Sequence, residues 1–187
     1  RYHLNDHDKS FIEMQSNIDA WYPYIQSGKV KTLLINASGC GVSIKDYGYL
    51  FKDNPEYAQK AQAISNACKD ISEILEGKIE QLQQSISKSQ ASSVIYHPPC
   101  TLQHGQKIRG KVENIMTAIG IKVNLCNDSH LCCGSAGTYS ILQENLSNQL
   151  KEQKLNQLFQ ASEQHQANTI VSGNVGCITQ LQNEKID

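Results

Sequence analysis

SSVIYHPPC, residues 92–100, is a short apolar run of strand character that ends in two prolines and delivers a cysteine. Val94, Ile95 and Tyr96 are β-branched or aromatic, and Pro98-Pro99 closes the run before it reaches helical length. The same design recurs on either side. VKTLLIN, residues 30–36, leads into Ala37-Ser38-Gly39-Cys40; IKVNLC, residues 121–126, precedes the vicinal pair Cys132-Cys133; NTIVSG, residues 168–173, leads into Asn174-Val175-Gly176-Cys177. Helical stretches separate these strands. Strands alternating with helices predict an α/β fold of parallel sheets flanked by helices, with functional groups at the C-terminal edges of the strands.

The intervening periodicities are specific enough to be tested. Apolar spacing predicts a helix over residues 9–22, ending near Pro23. Asn54-Pro55 reads as cap and first turn of a helix over residues 56–75, with a Gln/Ser-rich tail and polar connector over 78–93. Further helices are expected over residues 105–120, closed by Gly120, and over 139–160.

The chain has 187 residues, enough for one large domain or one and part of another. Seventeen basic against eighteen acidic side chains leave a net charge of −1, which gives no overall field for nucleic acid or an acidic membrane. No apolar run has the length of a transmembrane segment, and the start RYHLNDHDKS is neither a signal peptide nor an initiator Met, so the chain reads as a segment of something longer. Seven cysteines, an odd number without a secretion signal, favour reduced thiols and metal ligation in a cytoplasmic setting.

The chain also resembles itself. The offset that carries Cys40 onto Cys177 carries Gly39 onto Gly176, Thr32 onto Thr169, Leu33-Leu34 onto Ile170-Val171 and Tyr2 onto Tyr139. Residues 1–44 are therefore expected to be the C-terminal part of a first unit truncated at its start, with its own cysteine pair upstream of Arg1. Residues 45–91 would be a helical connector, and 92–187 a complete second unit.

Four sulfurs of that second unit, Cys100, Cys132, Cys133 and Cys177, match the ligand count of an iron–sulfur cluster or a tetrahedral zinc site. A thiol–disulfide enzyme using the vicinal pair is a third reading. Hard magnesium or calcium is excluded for want of oxygen ligands at useful spacing. Gly134 is expected to let the backbone approach an inorganic core, and a helix starting near Ser135 to Thr138 to point its amides at the thiolates. Cys68, on an expected helix, and Cys126, at a strand end, read as core residues. His97, His104 and His130 flank the constellation as hydrogen-bonding neighbours of the site, and His3 and His7 belong with the cap of the first helix. The Gln-rich surface QLKEQKLNQLFQ reads as a solvated helix face.

HPPCTLQHGQ, LCCGSAGTYS, NASGCGVSIKDYG and NVGCITQLQ together resemble the cysteine-rich CCG domain family over nearly the whole chain, most closely its branch of bacterial glycolate oxidase iron–sulfur subunits. The B subunit of heterodisulfide reductase and the iron–sulfur proteins of lactate and glycerol-3-phosphate oxidation are more distant relatives. The resemblance implies tandem CCG units holding an iron–sulfur cluster, [4Fe-4S] in type, with zinc as the alternative. It implies Cys100, Cys132, Cys133 and Cys177 as ligands of the second unit and Cys40 as the last ligand of the first. It also implies electron transfer from flavin-containing glycolate oxidase subunits toward a quinone or other membrane acceptor, with catalysis left to the flavin partner and any association with the inner face of the membrane made through partners. The family pattern often closes with CxxC, but Ser43 and Gln180 stand where its second cysteine would be. The ferredoxin-like region of the family has no counterpart in these residues.

Overall fold

The computed structural model describes residues 2–86 and 93–182, so part of the expected polar connector lies outside the described residues. The chain forms two compact units, Arg1–Ile71 and Ser72–Asp187.

In the first unit a 3-10 turn over Tyr2–Leu4 precedes α1 (His7–Gln26), β1 (Leu33–Ile35), α2 (Ser38–Lys45), α3 (Tyr47–Leu50), α4 (Ala58–Ala67) and β2 (Cys68–Asp70). Met14 and Ile18, one turn apart on α1, meet Ala61 and Ile64 of α4 in a core completed by Ile44, Tyr47, Phe51 and Cys68. Phe51 sits edge-to-face with Phe11 at 5.2 Å. Three expectations change here. First, α1 runs through Pro23, because a proline so near the helix end removes only one bond and Ser27 still donates to the Pro23 carbonyl at 3.1 Å. Second, the helix expected over 56–75 breaks after Ala67, where Cys68 turns extended and pairs parallel with Leu33. Third, residues 45–71, expected to begin a connector, supply a core helix and a strand to this unit. Asn54 Oδ1 accepts the amides of Glu56 and Tyr57 at 3.0 and 3.1 Å, so it closes the turn leading into α4, which starts two residues later than expected.

The second unit takes in α5 (Ile71–Glu76, from its second residue), α6 (Ile79–Ser85), β3 (Ser93–Tyr96), a π-helical turn (Thr101–Gly105), α7 (Lys111–Ala118), β4 (Lys122–Leu125), α8 (Tyr139–Leu142), α9 (Glu144–His165), β5 (Ile170–Val171) and α10 (Val175–Leu181). Its three strands are parallel in the order β4-β3-β5. Central β3 is the stretch whose Val94, Ile95 and Tyr96 are all buried, as a strand covered on both faces requires. The chain leaves β3 for β4 on one side and returns to β5 on the other, so three C-terminal strand ends lie side by side with that of β3 in the middle. Open α/β sheets bind their ligands at such an edge.

Local chemistry fixes these elements. Gly120, at φ +90°, ends α7: its amide bonds the Thr117 carbonyl at 3.0 Å and the Ile121 amide reaches Met116 at 3.0 Å, the Schellman pattern expected of that glycine. The expected helix over 105–120 starts only at Lys111, after Gly110 at φ +76°. The helix expected over 139–160 is two helices, parted at Gln143 (φ −130°, ψ 53°), and α9 restarts on an axis that buries Ser147, Lys154, Leu155, Leu158 and Ala161. The offset that superposes Cys40 on Cys177 also carries His7, the first residue of α1, onto Glu144, the first of α9, and Ser38 of α2 onto Val175 of α10.

Candidate metal centre

All four cysteines expected in the second unit follow the C-terminal ends of its strands. Residue 97 remains tied to the sheet past the end of β3, its amide donating to the Val171 carbonyl at 2.8 Å. The trans prolines 98 and 99 are buried and turn the chain so that Cys100 opens the π-helical turn, where Leu102 and Gln103 both donate to the Pro99 carbonyl. Asn174, before α10, reaches Thr101 Oγ1 at 3.4 Å, joining the ends of β3 and β5.

The loop before the vicinal pair is held by three consecutive carbonyls. Lys154 Nζ donates to Asp128 O at 2.7 Å, Gln103 Nε2 to Ser129 O at 3.2 Å, and His104 Nε2 to His130 O at 3.0 Å. Arg109 can only donate, so its 3.1 Å contact with His104 Nδ1 leaves the proton on Nε2, as the carbonyl bond requires. Beyond the pair, Gly134 (φ +90°) sits so close to α9 that a Cβ would lie 2.4 Å from the Ser147 carbonyl. The glycine therefore makes room for a helix, where the sequence led us to expect room for an inorganic core. Ser147 Oγ donates to the Gly134 carbonyl at 2.9 Å and accepts from Gln180 Nε2 at 3.0 Å, so the residue standing where CxxC would close is a brace.

Cys177 is the third residue of α10, whose Asn174 cap accepts the Gly176 amide at 2.8 Å. The sulfurs of Cys100 and Cys132 lie 3.9 Å apart. Those of Cys133 and Cys177, with a ring nitrogen of His97, lie within 4.8 Å of one another, and all three residues are buried.

Residues 94–182 match the family described as cysteine-rich domain, CCG. They belong to it. The CCG region so defined contains Cys100, Cys132, Cys133 and Cys177 and excludes Cys40. The whole chain is similar to proteins named glycolate oxidase iron-sulfur subunit, at 41% identity over 96% of its length in Escherichia coli K12, and 28% over 81%, as a probable subunit, in Bacillus subtilis 168. It is also 24% identical, over 79% of its length, to lactate utilization protein A of Bacillus licheniformis. The chain spans 42%, 33% and 60% of these relatives' own lengths.

Cys132 is pulled well down from an ordinary thiol pKa, first by the Cys100 hydrogen bond, then by Cys133 and the Gly134 amide, which reaches its sulfur at 3.3 Å. Cys177 is lowered to about 5, chiefly by the Cys133 thiol, with His97 adding to the effect against burial. Cys100 and Cys133, which donate those bonds, are pushed up. Through these hydrogen bonds the four sulfurs share their protons, so each one's ionisation depends on its neighbours. Soft, clustered donors that shed their remaining protons on ligation fit a thiophilic metal or iron–sulfur group. The helix expected to aim amides at the site is only the four-residue α8, beginning at Tyr139, so Gly134 supplies that amide.

The other cysteines lie elsewhere. Cys40 is exposed in the first turn of α2, in no cluster of three ligand donors among the described residues. Cys68 is buried in the first core, on a strand where a helix was expected, and Cys126 lies in the second core, where burial raises its pKa. His7 opens α1 and contacts Asn5 Oδ1 at 2.8 Å. Two features escaped the sequence reading. Lys154, in the helix face taken as solvated, is 2% exposed. His97, taken as a hydrogen-bonding neighbour, stands buried among the sulfurs, its ring beside Cys177 and without an oxygen or nitrogen partner. Its place two residues after buried Ile95, on the same strand face, was the available signal. Among the described residues no helix is long and apolar enough to cross a membrane.

Proposed function

We propose that this chain is the cysteine-rich part of the iron–sulfur subunit of a flavin-dependent 2-hydroxy-acid oxidase, with glycolate as substrate. The observation that carries the reading is the convergence of Cys100, Cys132, Cys133 and Cys177 from three neighbouring strand ends. The names of the similar proteins support iron–sulfur chemistry and the hydroxy-acid setting. A [4Fe-4S] cluster bound by the four thiolates would supply one-electron redox chemistry. The protein's part is to hold these sulfurs at a buried edge, offer the Gly134 amide to Cys132, and limit water at Cys133 and Cys177. Electrons would come from flavin-containing subunits, where the substrate is oxidised, and leave toward a quinone. The protein would work in the cytoplasm, at the inner face of the membrane through its partners. Cys40 would serve a second centre completed by residues outside this chain, and residues 92–187 would be the complete CCG unit.

The compact set of Cys133, Cys177 and His97 also suits a single zinc ion, with Cys132 or Cys100 as a fourth donor. A thiol-exchange enzyme is the weaker reading, because burial of Cys133 and Cys177 hinders attack on them. Iron, sulfide and zinc analysis of anaerobically purified protein, with EPR before and after dithionite, tests the proposal. About four iron and four sulfide per chain and a reducible signal are expected for a [4Fe-4S] centre; zinc without iron or colour would overturn it.

A further inference from the structure

His97 is 1% exposed, and its buried ring nitrogens find no oxygen or nitrogen partner; the polar neighbour of the ring is the Cys177 sulfur, whose pKa it helps to lower. Buried ring nitrogens with so little hydrogen bonding are costly and ordinarily mark the place of an ion, water or ligand. The ring is no accident of a loose loop. Its backbone amide is bonded to Val171 and two buried prolines follow it, so the sheet itself delivers the imidazole to the edge. One nitrogen stands within 4.8 Å of both the Cys133 and Cys177 sulfurs. A nitrogen and two sulfurs that close can serve one metal centre, a single ion or neighbouring atoms of a cluster, after a small inward movement.

We propose that His97 is a direct ligand of the metal centre, its ring nitrogen a further protein donor beside Cys133 and Cys177. The inference rests on the cysteine site of the proposed function and deepens it: the centre has a mixed sulfur–nitrogen shell, and one metal atom differs from any held by sulfur alone. Cys100 and Cys132, whose sulfurs lie 3.9 Å apart, remain thiolate ligands of the same centre.

The test compares the wild-type chain with His97→Gln and His97→Cys, all purified anaerobically, with Cys177→Ser as the control on the cysteine site. In the iron-loaded protein, pulsed EPR of the reduced state is expected to show a strongly coupled nitrogen that changes on 15N-histidine labelling and disappears in both His97 variants. His97→Cys, which offers a sulfur in place of nitrogen, is expected to keep more metal than His97→Gln. If the protein carries zinc, X-ray absorption at the zinc edge is expected to give about one nitrogen and three sulfurs, becoming sulfur-only in His97→Cys. A sulfur-only shell in the wild type, or a nitrogen signal that persists in His97→Gln, overturns the inference. The cysteine site fails separately, by full metal content in Cys177→Ser; protein that binds neither iron nor zinc overturns both.

Discussion

Cys40 and Cys177 occupy the same place in two copies of one local design, and their surroundings differ completely. Each is the third residue of a helix that follows a parallel strand, and each helix is preceded by an extended residue, Ala37 (φ −118°, ψ 108°) or Asn174 (φ −139°, ψ 118°). Cys40 is exposed, whereas Cys177 is 4% exposed and packed with Cys133 in a core. Its environment comes from β3 and β4, whose ends bring His97, Cys100 and the vicinal pair beside it. A strand–helix unit can deliver a sulfur, but it takes three adjacent strand ends to surround one.

The largest expected effect breaks that comparison outright. Cys177→Ser should cost the chain most of its bound metal, while Cys40→Ser should leave the content of the second unit unchanged, as read by metal analysis of the two variants. The removed ligand is buried among its partners in one case and solvated in the other.

Next comes pH. In the metal-free protein, thiolate absorbance near 240 nm should persist at neutral pH and fall as pH is lowered through about 5, the value for Cys177, and Cys177→Ser should lose that step. Because the folded pKa is depressed, the accompanying stability is fully present above the unfolded thiol pKa near 8.5 and is lost as pH falls through the folded value. Denaturant midpoints across that window check the sign. A midpoint that rises on acidification would remove Cys177 as a thiolate carrier.

The caps sharpen the comparison. Asn174 accepts the Gly176 amide, while Ala37 offers no side chain to α2. Asn174→Ala should destabilise by about 1 kcal/mol, with Ala37→Asp a gain of similar size, both read from urea unfolding. The smallest effect is at the paired glycines. A Cβ at Gly39 meets nothing within 4 Å, so Gly39→Ala should stabilise by about 0.5–1 kcal/mol through helix propensity. At Gly176 a Cβ lies 3.1 Å from Ser135 Oγ and 3.2 Å from Asn174 Oδ1, so Gly176→Ala should yield none of that gain.

What was legible in the sequence follows from the range of the interactions. The strands at Val94, Val123 and Ile170 announced themselves by short apolar runs, and Gly120 by its position after a periodic helix, because strand burial and helix closure leave local marks. Cys132 and Cys133 stood out by adjacency and by the cysteines that follow other strands. The broken helix at Cys68 was not legible, since its helical neighbours set the local preference and only pairing with Leu33 overrides it. Lys154 was misread for the same reason: nothing in QLKEQKLNQLFQ says that the Asp128 carbonyl will fold over it.

By itself, then, the sequence determined the alternation of strands and helices, the parallel sheets and the four sulfurs that follow strand ends, because each rests on periodicity or spacing within a few tens of residues. Only the tertiary structure decided which sulfurs meet, that Gly134 yields to α9, and that His97 stands buried beside Cys133 and Cys177. Those outcomes depend on the strand order β4-β3-β5, which brings residues from 97 to 177 together across the sheet edge. Distance in space, which sets hydrogen bonding, burial and charge, is fixed there by packing, and no local pattern along the chain encodes it.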